Sequence, residues 1–125
     1  MLTMKKKILI VDDDSRNIFA LSAFLRAKNF DCLHASSTAE ALRLLNNGSG
    51  INAILMDIMM PDKDGYEAIS EIKNQRALDG IPVIAVTANA MQGDKEKCLE
   101  AGADDYISKP IDIDKLLGML NKYLN

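Results

Sequence analysis

The chain contains 125 residues, of which 48% are apolar, and its formal net charge is −3. This length suits one globular domain and leaves too few residues for a second domain of any size. The negative net charge and the lack of a long run of lysine and arginine argue against direct binding to nucleic acid or to an anionic membrane. No apolar stretch is long enough to span a bilayer, so we expect a cytoplasmic protein. Cys32 and Cys98 fit no disulfide or metal-ligand pattern and are expected to be reduced.

Apolar runs of strand length alternate along the chain with segments of helical period, and the alternation repeats five times. The predicted elements, strand and helix in turn, are 7–12, 15–28, 31–35, 37–46, 52–57, 65–76, 82–87, 91–101, 104–108 and 112–124. The first, third and fourth strands are nearly continuous in apolar residues, which is typical of a parallel sheet covered by helices on both faces. Asp112 is placed to cap the last helix, and Asp14 to cap the first. The pattern predicts a doubly wound α/β fold.

In such a fold, ligands bind outside the carboxyl ends of the strands. Polar residues that can carry chemistry stand at the carboxyl ends of four of the predicted strands: Asp12 and Asp13 at the first, Asp57 at the third, Thr87 at the fourth, and Lys109 with Pro110 at the fifth. The sequence therefore predicts that carboxylates, a hydroxyl and an ammonium group converge on one small site.

Clustered aspartates repel one another, by roughly 1 kcal/mol at about 4 Å in water and more where the local dielectric constant is lower. A divalent cation reverses this effect, and a few hard carboxylate oxygens with room for water and phosphate suit Mg²⁺. An aspartate can also attack phosphorus as a nucleophile. Phosphoryl transfer then needs positioning and charge neutralisation, which a metal, a lysine and a hydroxyl would supply.

Four segments together resemble the receiver domain of two-component response regulators: VDDD at 11–14, MDIMMPDKDGYE at 56–67, TANA at 87–90 and KP at 109–110. The resemblance covers essentially the whole chain, so residues 1–125 are expected to form one receiver domain. It implies a flavodoxin-like, five-stranded parallel sheet of order 2-1-3-4-5 flanked by five helices. The stretch 87–112 is most similar to the receivers of hybrid sensor histidine kinases.

The resemblance also implies the acceptor and its metal site. Asp57 matches the residue that accepts the phosphoryl group. Asp12 and Asp13 match the acidic pair that binds Mg²⁺ together with Asp57, and the backbone carbonyl of Met59 completes the protein ligands.

Four further residues match positions around the acceptor in this family. Thr87 matches the hydroxyl residue that contacts the phosphoryl group, and Lys109 matches the lysine that pairs with it. Tyr106 matches an aromatic switch residue, and the peptide bond before Pro110 matches one that the family holds in the cis form.

The resemblance implies a signalling switch rather than an enzyme that turns over a substrate. A sensor histidine kinase or a histidine phosphotransfer protein would donate a phosphoryl group from phosphohistidine to Asp57. The protein would assist only its own phosphorylation and dephosphorylation. Phosphorylation would then change the surface formed by the fourth helix, the fifth strand and the fifth helix.

Two alternatives remain open at this stage. An aspartate-nucleophile phosphatase of the haloacid dehalogenase type would also carry a strand-end D-x-D, although Ser15 and Arg16 stand where that family usually has Gly and Thr or Val. A receiver used only as a non-phosphorylated interaction module is the second alternative, and the presence of Asp57, Thr87 and Lys109 argues against it. A calcium-binding EF-hand loop at 62–67 is rejected, because its register puts Met60 at the first ligand position.

Overall fold

A computed structural model describes residues 5–48, 50–59, 65–75, 78, 80–88 and 92–124. Within these residues it confirms the alternating order of strands and helices. The elements are β1 (Lys7–Val11), α1 (Ser15–Ala27), β2 (Asp31–Ala35), α2 (Thr38–Asn46), β3 (Ala53–Asp57), α3 (Gly65–Lys73), β4 (Val83–Thr87), α4 (Gln92–Ala101), β5 (Asp105–Ser108) and α5 (Ile113–Leu124).

The five strands form one parallel sheet in the order β2-β1-β3-β4-β5. The order reverses between β1 and β3, because the chain passes from β1 outwards to β2 and then returns to β3 on the other side of β1. Strands β1, β3 and β4 are buried along almost their whole length, as their continuous apolar sequences predict. The point of reversal opens a crevice at the carboxyl ends of β1 and β3.

The helices cover both faces of the sheet. On one face, Ile18, Leu21 and Leu25 of α1 and Leu116 and Leu120 of α5 pack against the sheet in one apolar cluster. On the other face, buried residues of α2, α3 and α4 form a second cluster. Both cysteines are free and lie buried, one in each cluster, and burial raises the pKa of each thiol. Among the described residues, no helix combines the length and apolar character that crossing a membrane requires.

The ends of the elements follow local hydrogen bonding. Asp14 caps α1 by accepting a hydrogen bond from the backbone N–H of Arg16 at 2.9 Å, and Asp112 caps α5 by accepting from Asp114 at 3.0 Å. Both predicted caps are therefore confirmed. The first strand ends one residue earlier than predicted, at Val11, although the N–H of Asp12 still donates to the carbonyl of Ala35 on β2.

Gly65 begins α3 at a point where no larger residue fits. Its N–H donates to the carbonyl of Ile58 at 3.2 Å, and a Cβ atom on Gly65 would lie 2.4 Å from the Ile58 Cα atom. The loop that follows Asp57 therefore closes tightly onto the start of α3. Residues 60–64, which the motif at 56–67 includes, lie outside the described residues.

Candidate functional site

Three carboxylates converge where β1 and β3 end. Asp12 and Asp13 follow β1, Asp57 is the last residue of β3, and these two strands are neighbours in the sheet. One carboxylate oxygen from each of the three residues lies within 4.8 Å of the others. Asp12 and Asp57 are only 4% and 3% exposed, whereas Asp13 faces solvent. The predicted convergence of the acidic residues is confirmed.

Backbone groups orient the two buried carboxylates. The N–H of Asp14 donates to Oδ1 of Asp12 at 2.9 Å, and the N–H of Met59 donates to Oδ1 of Asp57 at 3.1 Å. Both bonds span two residues, so each loop fixes its own aspartate as the chain leaves the strand. Asp14 itself caps α1 and is not part of the carboxylate group, as its position in the sequence predicts.

Lys109 brings the fifth strand to the same site. Its Nζ atom lies 3.4 Å from Oδ2 of Asp57 and 3.8 Å from Oδ2 of Asp12. The backbone N–H of Lys109 donates to the carbonyl of Thr87 at 2.8 Å, which holds the segment after β5 against the end of β4. The peptide bond between Lys109 and Pro110 is cis, as the resemblance implies.

The site is short of positive charge. The pKa of Asp57 is raised, mainly because burial penalises its charged form and further because Asp12 lies beside it. The hydrogen bond from Met59 and the charge of Lys109 act in the opposite direction. Because Lys109 is shared between two buried carboxylates and Asp13 adds a third negative charge, these oxygen ligands fit a small divalent cation.

Thr87 and Tyr106 lie on β4 and β5, the next two strands of the sheet after β3. Thr87 is buried and ends β4, one residue beyond the residue that pairs with Asp57. Tyr106 lies on β5 beside Ala85 and is half-buried against the cluster formed with α2, α3 and α4. The Nζ atom of Lys95 on α4 lies 5.6 Å from the centre of the Tyr106 ring, a cation–π distance.

Sequence reasoning missed a surface next to the site. Phe19 and Phe24 on α1 are 78% and 52% exposed. A groove runs from Asp12 and Lys109 between α1 and the segment after β5, and it is lined by Asn17, Leu21, Phe24, Pro110 and Ile113 among others. The helical period of α1 predicts that Ile18, Leu21 and Leu25 are buried. Phe19 and Phe24 fall outside that buried stripe, and large apolar residues in such positions were the available sign of an exposed apolar surface.

Comparison with known proteins identifies the family. The family model for the response regulator receiver domain matches residues 8–121. The chain is 38% identical over 122 residues to hybrid signal transduction histidine kinase L of Dictyostelium discoideum, and the matched region covers 94% of this chain and 7% of that protein. It is 36% identical over 121 residues to the polar-differentiation response regulator DivK of Brucella ovis, covering 97% of this chain and 98% of that one. The chain thus spans a small part of the hybrid kinase and nearly all of the response regulator DivK.

Solved structures show the same fold. The receiver domain of sensor histidine kinase PA1611 from Pseudomonas aeruginosa, which has a magnesium ion coordinated in its active-site cleft, superposes with a TM-score of 0.86 at 37% identity, covering 96% of this chain and 98% of that one. The receiver domain of Ssk1 from Saccharomyces cerevisiae, solved in complex with the histidine phosphotransfer protein Ypd1, gives a TM-score of 0.87 at 28% identity, covering 98% and 91%. With its five parallel strands in the order 2-1-3-4-5 and acidic residues gathered at their carboxyl edge, this chain belongs to the response regulator receiver domain family of two-component signalling.

Proposed function

We propose that Asp57 is the residue that accepts a phosphoryl group from a phosphohistidine, and that residues 1–125 together form the receiver domain. The observation that supports this role is the pairing of the buried Asp57 carboxylate with the Lys109 ammonium at 3.4 Å, beside Asp12 and Asp13. The protein is then a stoichiometric signalling switch and not a multiple-turnover enzyme. We propose a cytoplasmic location, where phosphoryl groups derived from ATP reach the donor histidine.

The reaction is an in-line displacement at phosphorus. One carboxylate oxygen of Asp57 attacks the phosphorus atom, an O–P bond forms, and the N–P bond to the donor imidazole breaks with its electron pair left on nitrogen. Lys109, already 3.4 Å from Asp57, neutralises charge on the transferred group. The hydrogen bond from the N–H of Met59 to Oδ1 fixes the orientation of the nucleophile, so attack needs little reorganisation.

We propose that the metal is Mg²⁺, held by Asp12, Asp13, Asp57 and the backbone carbonyl of Met59. The ligand atoms of the three aspartates are close enough for one ion, and their excess negative charge fits a divalent cation. A bound Mg²⁺ would neutralise charge on the carboxylates and on the phosphoryl oxygens during transfer. The exposed carboxylate of Asp13 leaves the ion a route from solvent.

The switch we propose runs from Thr87 to Tyr106. A phosphoryl group adds about −2 charge and three acceptor oxygens, so it offers the Thr87 hydroxyl a new hydrogen bond. Movement of Thr87 towards Asp57 frees space that the Tyr106 ring, half-buried on the adjacent strand, can enter. The surface of α4, β5 and α5 changes because the phosphoryl group binds one of two arrangements more tightly than the other.

The proposed partner is a sensor histidine kinase or a histidine phosphotransfer protein that docks over α1. The exposed ring of Phe24 lines the apolar groove that reaches Asp12 and Lys109, and the exposed ring of Phe19 lines a second depression that reaches Asp13. A partner seated there would bring its histidine to the site while covering apolar surface. Phe24→Asp should therefore slow phosphotransfer from a phosphohistidine donor by roughly tenfold or more but leave labelling by acetyl phosphate unchanged. Leu99→Asp, the same kind of change on the exposed side of α4, is the control.

Labelling of Asp57 tests the central proposal. Intact-mass analysis after incubation with acetyl phosphate and Mg²⁺ should show one phosphoryl group per chain, located on Asp57 by peptide mapping, and none in Asp57→Asn. Undiminished labelling of Asp57→Asn would contradict the assignment. Sustained hydrolysis of p-nitrophenyl phosphate that depends on Asp12 would instead favour the phosphatase alternative, which none of the relatives named above supports.

A further inference from the structure

Asn17 contacts the site from the first helix, and the role proposed above for the acidic residues does not use it. The side chain lies in the first turn of α1, and its Nδ2 atom donates to Oδ2 of Asp12 at 3.5 Å. It is half-buried and lines the groove beside Lys109. The distance is long for a hydrogen bond, so the contact is weak in this arrangement.

The two oxygens of Asp12 are held in different ways. Oδ1 accepts a short backbone bond from Asp14, at 2.9 Å, that the loop fixes. Oδ2 faces two side-chain donors, Asn17 at 3.5 Å and Lys109 at 3.8 Å. Lys109 lies closer to Asp57 than to Asp12, so its hold on Asp12 is the contact most easily lost.

Phosphorylation of Asp57 creates competition for Lys109. The phosphoryl oxygens carry more negative charge than the Asp57 carboxylate, so the Lys109 ammonium interacts more strongly with them than with the carboxylates. As Lys109 turns to the phosphoryl group, Oδ2 of Asp12 loses one of the two side-chain donors that face it, while Asp12 remains buried. Losing a hydrogen-bond donor at a buried carboxylate is costly, and Asn17 is the other side-chain donor already placed at this oxygen.

We propose that Asn17 is a positioning residue that takes over Oδ2 of Asp12 when Lys109 engages the phosphoryl group, and so keeps Asp12 aligned for Mg²⁺. This inference rests on the proposed function of Asp57. An amide suits the task better than a second lysine, because a neutral donor orients the carboxylate without competing with the metal for its negative charge. Attachment to a helix capped by Asp14, itself bonded to Asp12, fixes the donor relative to its acceptor.

The test measures the Mg²⁺ concentration that half-saturates the melting temperature, with and without beryllofluoride as a phosphoryl mimic. With beryllofluoride, Asn17→Ala and Asn17→Leu should raise that concentration by about threefold to tenfold, the range for loss of a modest hydrogen bond to a charged group. With Mg²⁺ alone the increase should be smaller, about twofold, because Lys109 still faces Asp12. Asn47→Ala, the same change on an exposed residue that follows α2, should leave both values unchanged.

The result separates positioning from a general structural role. If Asn17 has only a structural role, its replacement should lower the melting temperature without changing the half-saturating Mg²⁺ concentration. If Asn17 positions Asp12, both variants should still reach the wild-type extent of acetyl phosphate labelling once Mg²⁺ is saturating. The proposal would be overturned if, with beryllofluoride, the half-saturating Mg²⁺ concentration of both Asn17 variants lay within about 1.5-fold of the wild-type value. An increase in only one of the two variants would also overturn it. If the assignment of Asp57 fails, beryllofluoride should leave the Mg²⁺ titration of the wild-type protein unchanged, which distinguishes that failure from a failure of the Asn17 proposal.

Discussion

The two ends of the sheet each carry an aspartate paired with a lysine, but the balance of charge differs. At the amino end, Lys73 of α3 lies 2.6 Å from Oδ2 of Asp104, which also accepts a hydrogen bond from the N–H of Val83 at 2.8 Å, and Lys73 donates to the carbonyl of Ile81. At the carboxyl end, Lys109 lies 3.4 Å and 3.8 Å from two buried carboxylates, with Asp13 beside them.

The positive and negative charges are equal in number at the amino end of the sheet, whereas negative charges outnumber positive ones at the carboxyl end. One lysine with one aspartate, each also bonded to the backbone, ties α3 to the starts of β4 and β5 and needs nothing further. One lysine shared by two buried aspartates leaves negative charge that a cation or a phosphoryl transfer reaction can use. The contrast shows that charge imbalance, rather than the presence of an ion pair, distinguishes the site from the structural contact.

Removing the matched pair should give the largest loss of stability. Asp104→Ala leaves the buried Val83 N–H without its acceptor and removes one of two acceptors of the Lys73 ammonium, and it should destabilise the fold by about 2 kcal/mol. Urea unfolding measures the change. Lys73→Met added to Asp104→Ala should cost much less than the sum of the single changes, because the two residues act together.

The Mg²⁺ dependence is the internal control for that variant. Asp104 lies at the opposite end of the sheet from Asp57, so the half-saturating Mg²⁺ concentration should match that of wild type. A large change in Mg²⁺ affinity in Asp104→Ala would break the distinction between the two ends.

Removing a negative charge at the carboxyl end of the sheet should increase the stability of the metal-free protein. In EDTA, Asp57→Asn should stabilise the protein by about 1 kcal/mol, since it removes a buried charge next to Asp12. Because the folded-state pKa of Asp57 is raised above the ordinary 3.8, its penalty is absent below pH 3.8 and fully present above the raised pKa. Wild-type stability relative to Asp57→Asn should therefore fall as pH rises through this interval. Thermal unfolding across pH measures it, and a variant less stable than wild type at neutral pH in EDTA would contradict the repulsion argument.

Asp13 should behave differently from Asp57 because it faces solvent. Asp13→Asn should weaken Mg²⁺ binding, by about tenfold for the loss of a charged ligand, while stabilising the metal-free protein by less than Asp57→Asn does. Melting temperatures in EDTA and across a Mg²⁺ titration separate the two effects. A metal-free Asp13→Asn protein that melts below wild type would show that Asp13 makes a stabilising contact of its own.

The comparison also explains what the sequence could predict. The period of the apolar residues set the strands, and parallel strands bring their carboxyl ends to one edge, so Asp12, Asp57, Thr87 and Lys109 were predictable from their positions alone. The pairing of Lys73 with Asp104 was not, because the two residues are 31 apart and nothing local links them. Exposed Phe19 could be recognised only as an exception to the helical pattern of α1.

Asn17 illustrates a second limit. A polar residue in the first turn of an amphipathic helix ordinarily faces solvent, and the sequence position of Asn17 carries no sign of a contact with Asp12. The contact arises because the loop at Asp12–Asp14 turns the start of α1 back over the end of β1. Loop geometry of this kind depends on hydrogen bonds such as that from Asp14 to Asp12, which the apolar period does not encode.

The smallest expected effect concerns the lifetime of phosphorylated Asp57. Met59 lies two residues after Asp57, the proposed acceptor; its N–H donates to Oδ1 of Asp57, and its side chain is 70% exposed. A flexible apolar side chain there can cover the phosphoryl group without orienting a water molecule for in-line attack, whereas an amide can hold one. Met59→Asn should therefore speed the decay of phosphorylated Asp57 by about threefold, a difference of about 0.65 kcal/mol in the barrier.

In the control variant Met59→Leu, which keeps an apolar side chain over the site, phosphorylated Asp57 should decay at close to the wild-type rate. Asn89, which we expect to act in the opposite sense, lies outside the described residues. Decay is followed by intact mass after the donor is removed, and an unchanged or slower rate in Met59→Asn would show that Met59 serves the site through its backbone alone.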